Sequence, residues 1–451
     1  MVKERADSVA ISTIAFGITL VISFILKAIG IDKTLPEMIA GCFFVGITLI
    51  LLILSGKILK NTNERIIFWL SYFLKIIYLT FQLKGVDITN PILDTDAAGF
   101  WRVASMYYDG NFGIVYTPFP YVINFEFHIF GKNLACCLLV NCFCSMLMVL
   151  VTYEVFNRLK ICGKARDIGG YVICLLPFII LTCSLFIREP YYYVFIALSE
   201  LEFIIHLLSK KRFHLYLAVL LSVPILVMHI GYFPIPLLCF ISSIIINKPK
   251  NYNDLIKCIF EIAIFALCVI LMMNSNSTHY IVNDNTSSAE GMLRKLSGTS
   301  YYEDTLNAGS AYLLNLQATT WSRVILYSPI RLVYFLFSPM PTNWRGLTDI
   351  ITFLLDSIIH FYVLVQSLSY IKMKNRMINL GITENDLKKQ IVVIGLWQVL
   401  LSSYIFAMGT ATAGTAIRHR DVLIPIETII LAVSLSEKKK LREIKKKNRS
   451  I

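Results

Sequence analysis

The chain has 451 residues, of which 56% are apolar and 16% charged, with a formal net charge of +13. That charged share lies well below the roughly one quarter of ordinary soluble domains, which excludes a soluble enzyme and points to an integral membrane protein. Apolar runs recur along nearly the whole chain, close to the roughly 20 residues a helix needs to cross a bilayer core.

Taken in order, helices are predicted over residues 8–30, 35–56, 66–83, 134–156, 168–187, 190–208, 214–231, 232–246, 255–273, 347–371, 391–408 and 421–436. This is an all-α, polytopic bundle of about twelve crossings. The first run shows no small-residue cleavage site and is read as a retained helix rather than a signal peptide. The pair meeting at GYFPIP is joined so briefly that a kinked or re-entrant element is expected there. The eleven cysteines lie mostly inside apolar runs and frame no extramembrane loop, so they read as small packing residues rather than disulfides or metal ligands.

Lysine and arginine concentrate in NRLKICGKAR, SKKR, KMKNRM and the tail EKKKLREIKKKNR. The positive-inside rule places these segments and both termini in the cytoplasm, which makes the net charge chiefly a topology signal. The basic tail, 437–451, then suits anionic membrane lipid, not nucleic acid. One membrane domain, 1–436, is left with two long outer segments, 84–133 and 274–346, and loops of that length are candidates for function.

The first of these begins near DTDAAGFWR, whose residues include Asp94, Asp96 and Arg102. From Ala97 to Tyr108 the apolar residues recur at helical spacing, as in an amphipathic interfacial helix. Asp94 stands near its N-cap, and both aspartates simply starting the helix is the plain reading. The functional reading has one carboxylate act as a general base for a hydroxyl acceptor, or as a ligand to a divalent metal.

Farther on, SLFIREPYYY puts Arg188 and Glu189 between two apolar runs with almost no loop. Charges at that depth pair with each other or with neighbouring loops, or else the guanidinium binds an anionic head group. In VMHIGYFP, His229 is a second candidate base, against the alternative of a histidine hydrogen-bonded within the bundle.

The back of the second outer segment, TTWSRVILYSPIRLVYFLFSPMPTNWR, is apolar but broken by prolines. A re-entrant or interfacial helix is expected, with a thirteenth crossing as the alternative. Arg323 and Arg331, eight residues apart, are offset by roughly 80° on a helix and are expected to share a broad face. Asp356 and His360 lie one turn apart and are expected to pair. Glu200, Glu202, Glu261 and Glu427 lie within apolar runs and either anchor arginines or support a transporter.

The last outer connection, GTATAGTAIRHRDVLIPIE, carries Arg418, His419 and Arg420. Two arginines flanking a histidine, on the side that normally avoids basic residues, suit a phosphate or pyrophosphate. A structural ion pair to Asp421 or to the first-loop carboxylates competes with that reading.

The many crossings, the aspartate-bearing first outer loop with its helix, the following YTPFPYVINFEFHIFGKN segment and the outer arginine near the C-terminus together resemble the GT-C superfamily of membrane glycosyltransferases. They are similar as well to the multi-pass proteins of bacterial surface-polysaccharide pathways, including Wzy-type repeat-unit polymerases. The resemblance implies that Asp94 or Asp96 is the acidic catalytic residue. It implies that Arg418 and Arg420, with Arg188, hold the polyprenyl phosphate or pyrophosphate of a lipid-linked sugar donor, with a glycan as acceptor, at the outer face of a bacterial plasma membrane. The large soluble C-terminal domain of better-defined members is not seen, which turns the expectation away from a protein-directed oligosaccharyltransferase. The rival expectation is a carrier or flippase for the same lipid-linked sugars.

Overall fold

The computed structural model describes residues 35–83, 95–111, 118–247, 310–314, 316, 320–380 and 386–447, together with positions 252, 256, 259 and 263. The described residues are helical, with one isolated bridge between Ala311 and Thr412. We number the helices α1 (Leu35–Ile58), α2 (Thr62–Leu83), α3 (Thr95–Tyr108), α4 (Phe119–Phe130), α5 (Leu134–Arg158), α6 (Lys164–Leu175), α7 (Pro177–Thr182) and α8 (Glu189–Ser209). There follow α9 (Arg212–Met228), α10 (Pro234–Asn247), α11 (Trp321–Phe337), α12 (Leu347–Asn379), α13 (Leu387–Gly409), α14 (Ala413–Asp421) and α15 (Ile424–Lys447).

Six of these, α1, α2, α5, α8, α12 and α13, are long and apolar enough to cross a membrane. Of the twelve expected crossings, 8–30 lies outside the described residues, as does 255–273 apart from positions 256, 259 and 263. The predicted 168–187 helix is interrupted: Leu176 is extended, at φ −59° and ψ 121°, because the ring of Pro177 disfavours the helical conformation in the residue before it. Around GYFPIP the chain leaves α9 at His229, makes a short 3-10 turn over Ile230–Tyr232 and restarts at Pro234. The expected kink is therefore present, between helices of 17 and 14 residues. The nine described cysteines are all free thiols, most of them buried.

The chain divides into two compact units, one of residues 1–154 and 179–194, the other of 155–178 and 195–451. In the first, α1 and α2 meet through Thr48 Oγ1 and the Tyr72 hydroxyl at 2.7 Å. Lys75 of α2 is fully buried and donates to Ser145 Oγ of α5 at 2.8 Å. The helix predicted over 97–108 exists as α3. Its buried residues include Ala97 and Ala104, and its rings pack on α4: Phe100 on Phe119 at 5.1 Å and Trp101 on Phe127 at 4.8 Å.

The second unit is built on α13, α15 and their neighbours, and glycines set how closely these helices pack. A Cβ on Gly395 of α13 would stand 2.5 Å from Ile430 Cγ2 of α15, and one on Gly169 of α6 would stand 2.8 Å from the Phe156 ring. Helix α12 holds a π-helical turn over Phe353–Ser357. Helix α11 starts at an N-cap, where Thr320 Oγ1 accepts from the Arg323 amide. Its 17 residues make it shorter than the six long apolar helices.

Candidate functional site

The residues singled out in the sequence fall into two sets, one in each unit. In the first unit, Asp94 lies outside the described residues, while Asp96 occupies the first turn of α3 and is exposed. An acidic side chain is favoured there by the helix dipole. Phe100 lies one turn along on the same face, and the guanidinium of Arg188 lies 5.9 Å from its ring centroid and 5.9 Å from that of Tyr192. Trp101 packs on Phe186 at 5.2 Å, two residues before Arg188. Arg102 projects from an exposed position of α3, and Glu189 is buried in the first turn of α8.

One member of this set was missed in the sequence. Glu126 of α4 is buried and accepts a hydrogen bond from the Tyr191 hydroxyl. Burial pushes its carboxyl up to about 7, and the hydrogen bond from Tyr191 only partly offsets this. Its signal was a single carboxylate within the apolar INFEFHIF run, which reads as an ordinary amphipathic helix until the partner tyrosine is placed.

In the second unit two arginines, Arg331 and Arg420, are occupied by helix ends. Arg331 is 1% exposed; its Nε donates to Ala407 O at 3.0 Å, Nη1 to Leu316 O at 2.9 Å and Nη2 to Thr410 O at 2.9 Å. It thereby closes the carbonyl end of α13. Arg323, by contrast, is exposed, so the two do not share a face: an 80° offset suffices to put one inside and the other outside.

Arg420 is fully buried. Its Nη1 donates to Leu336 O at 2.8 Å and Ser338 O at 3.0 Å, closing the end of α11, while Nη2 pairs with the Asp356 carboxylate and Nε lies 3.5 Å from Asp421 Oδ1. The ion pair to Asp421 that competed with phosphate binding is thus present at Arg420. Successive residues of a helix point about 100° apart, and Arg418, one turn position away from burial, is half-exposed.

His229 and His419 come together: their ring centroids are 4.9 Å apart and both rings pack on Phe406, at 4.7 Å and 4.4 Å. Tyr232 secures the pair by donating its hydroxyl to His419 O at 3.1 Å. The segment 310–316 is tied to the same region, with Tyr312 N donating to Ala411 O at 2.8 Å and Ala413 N to Ser310 O at 2.9 Å. Gly231 is needed at this point, since a Cβ would stand 2.7 Å from the Phe406 ring.

Asp356 and His360 do meet, at 3.8 Å, but the shorter contacts go elsewhere. His360 Nδ1 lies 2.6 Å from Glu427 Oε2, and Nε2 lies 3.2 Å from Asp421 Oδ1. Two more of the glutamates singled out in the sequence face neighbours that are not arginines: Glu200 accepts from Gln398 Nε2 at 2.8 Å, and Glu202 contacts His214 Nδ1 at 2.6 Å. Glu261 lies outside the described residues. Compared with known proteins, the chain matches no family model, no curated protein and no solved structure.

Proposed function

We propose that this protein is a polytopic membrane glycosyltransferase or repeat-unit polymerase that takes sugars from a polyprenyl-phosphate or polyprenyl-pyrophosphate donor at the outer face of a bacterial plasma membrane. One observation carries the reading. The exposed carboxylate of Asp96 and the Arg188 guanidinium belong to one unit and are linked through Phe100, which lies one turn from Asp96 and beneath Arg188. A lipid-linked donor keeps its tail in hydrocarbon and its phosphate at the interface, so a transferase needs a guanidinium and a carboxylate on neighbouring elements there.

In the proposed reaction the acceptor hydroxyl oxygen attacks the anomeric carbon as the carboxylate of Asp96 or Asp94 takes its proton. The bond from that carbon to the phosphate oxygen breaks, and the electron pair leaves with the lipid phosphate. Arg188 balances the charge that develops there. Direct attack inverts the sugar carbon. Arg102, exposed on α3 of the same unit, is assigned to the rim of this site.

A carrier of the same lipids is the second reading. The buried Asp356, His360, Asp421 and Glu427 group favours it, because carriers place required charges deep among their helices. Purified protein incubated with a cell-derived polyprenyl-linked oligosaccharide separates the two. Product formed by the wild type and lost in Asp96→Asn, with lipid binding retained, supports the transferase. Lipid movement across reconstituted vesicles with no product supports the carrier.

A further inference from the structure

We propose that Asp356, His360 and Asp421 form a divalent-cation site inside the second unit, with Glu427 orienting the histidine. Charge is the first argument. Asp356, Asp421 and Glu427 are each no more than 2% exposed and bring three negative charges. Among the described residues one guanidinium is paired with them, that of Arg420, which brings one positive charge. The group is left one charge negative with a cationic imidazole and two with a neutral one, the form that binds a metal, and uncompensated charge in a buried site is strongly unfavourable. A divalent ion brings the sum to zero.

Proton placement on His360 is the second argument. Its Nδ1 faces Glu427 at 2.6 Å while its Nε2 faces Asp421 at 3.2 Å and Asp356 at 3.8 Å. An imidazolium donates from both nitrogens, whereas a neutral imidazole has one N–H and turns its other nitrogen to a carboxylate as a bare lone pair, which a cation between them would satisfy. If Nδ1–H donates to Glu427, the Nε2 lone pair points between two aspartates, the arrangement in which an outer carboxylate holds a metal-binding histidine.

Geometry agrees with an ion at that point. Donor bonds of about 2.0–2.2 Å around a tetrahedral ion separate the donors by roughly 3.3–3.5 Å, and the Nε2 separations of 3.2 and 3.8 Å bracket that span. One donor atom from each of the three residues falls within 4.8 Å of the others. Asp421 Oδ2 is buried and accepts no hydrogen bond among the described residues, so its carboxylate has capacity in reserve. Asp356 lies in the π-helical turn of α12, a feature that recurs at functional sites. Asp421 ends α14, where the helix dipole disfavours an anion and a cation relieves it.

The test uses the full chain in detergent, with its affinity tag removed. Elemental analysis is followed by titration with Co²⁺, whose visible absorption reports nitrogen and oxygen ligation, and with Zn²⁺ and Mn²⁺. The expected result is on the order of one ion per chain. Affinity should fall roughly 10–100-fold in Glu427→Gln, the outer ligand, and further in Asp421→Asn and His360→Gln, while Lys132→Ala, in the first unit, binds as the wild type does. The wild-type measurement stands whether or not the variants fold. Monodisperse wild-type protein that carries no ion and gives no cobalt band overturns the proposal and assigns the excess charge to protons. Binding that survives in both ligand variants overturns it as well, by placing the ion elsewhere.

Discussion

The two units use the same kinds of residue in opposite ways. In the second unit, Arg331 and Arg420 are sealed from solvent and tied to the carbonyl ends of α13 and α11; in the first, Asp96 and Arg102 stand exposed on α3 and Arg188 lies half-buried across aromatic rings. A buried guanidinium is held by several fixed acceptors and orders helix ends. An exposed or half-exposed group keeps hydrogen-bonding capacity for a ligand. An arginine near an apolar segment is therefore not one signal but two, and only its partners tell which.

The sharpest way to break this contrast is to remove Arg420. Arg420→Met leaves Asp356 buried beside no guanidinium and opens the end of α11, and breaking a buried pair in this way costs about 3–5 kcal/mol. We expect a large fall in thermal midpoint, or loss of monodisperse protein on size-exclusion chromatography. Arg420→Lys should recover little, because an ammonium cannot reproduce the forked contacts to Leu336, Ser338 and Asp356. Near-wild-type stability in Arg420→Met would end the view of this arginine as a structural anchor.

Next in size is a pH effect in the first unit. The Glu126 carboxyl is held by burial at about 7, against 4.5 for the free side chain. As pH rises from 4.5 to 7 the unfolded chain releases this proton while the folded chain keeps it, so stability falls across that window and levels off above it. The loss is on the order of 3 kcal/mol. Glu126→Gln keeps an acceptor for the Tyr191 hydroxyl and should flatten the slope, with its largest stabilisation at pH 8. Thermal unfolding between pH 4 and 9 with an unchanged slope in the variant would place the pH dependence elsewhere.

Packing comes third. Gly395→Ala drives a methyl to within 2.5 Å of Ile430 Cγ2 and 3.2 Å of Ile426 Cγ2, and overpacking of this kind costs about 1–3 kcal/mol. The double variant with Ile430→Leu, which removes the facing Cγ2 methyl from Cβ, should regain part of the loss. No recovery in thermal midpoint would show that α13 and α15 do not depend on this close approach.

Much of this frame was legible in advance because hydrophobicity and proline act locally. The run 35–56, the interruption at GYFPIP and the helical spacing of Ala97 to Tyr108 need no long-range information, and each appears, as helix, break and helix. The prolines cut both ways: Pro177 split a run that hydrophobicity alone reads as one crossing. What stayed hidden was pairing across long separations. His360 contacts Glu427 and Asp421, 67 and 61 residues away, and no periodicity within 347–371 could choose those partners over Asp356. Likewise the RHR triplet reads as one charged cluster, but a helix distributes its members around the axis, burying His419 and Arg420 and leaving Arg418 half-exposed.

The smallest expected effect on folding is the most informative about function. Asp96 is exposed in the first turn of α3, so Asp96→Asn should cost little stability, its interaction with the helix dipole being worth under about 1 kcal/mol. The asparagine keeps the size of the side chain and its capacity to accept a hydrogen bond, and loses the ability to take a proton. A transferase that depends on this carboxylate as base should therefore lose about 10²–10⁴-fold in rate while its thermal midpoint scarcely moves and its lipid binding persists. Arg188→Lys provides the matching measurement on the other group: it retains the charge and loses the planar fork, so donor binding should weaken more than turnover at saturating donor. Equal loss of rate and of stability in Asp96→Asn would assign the carboxylate to the fold and erase the contrast between an anchored unit and an accessible one.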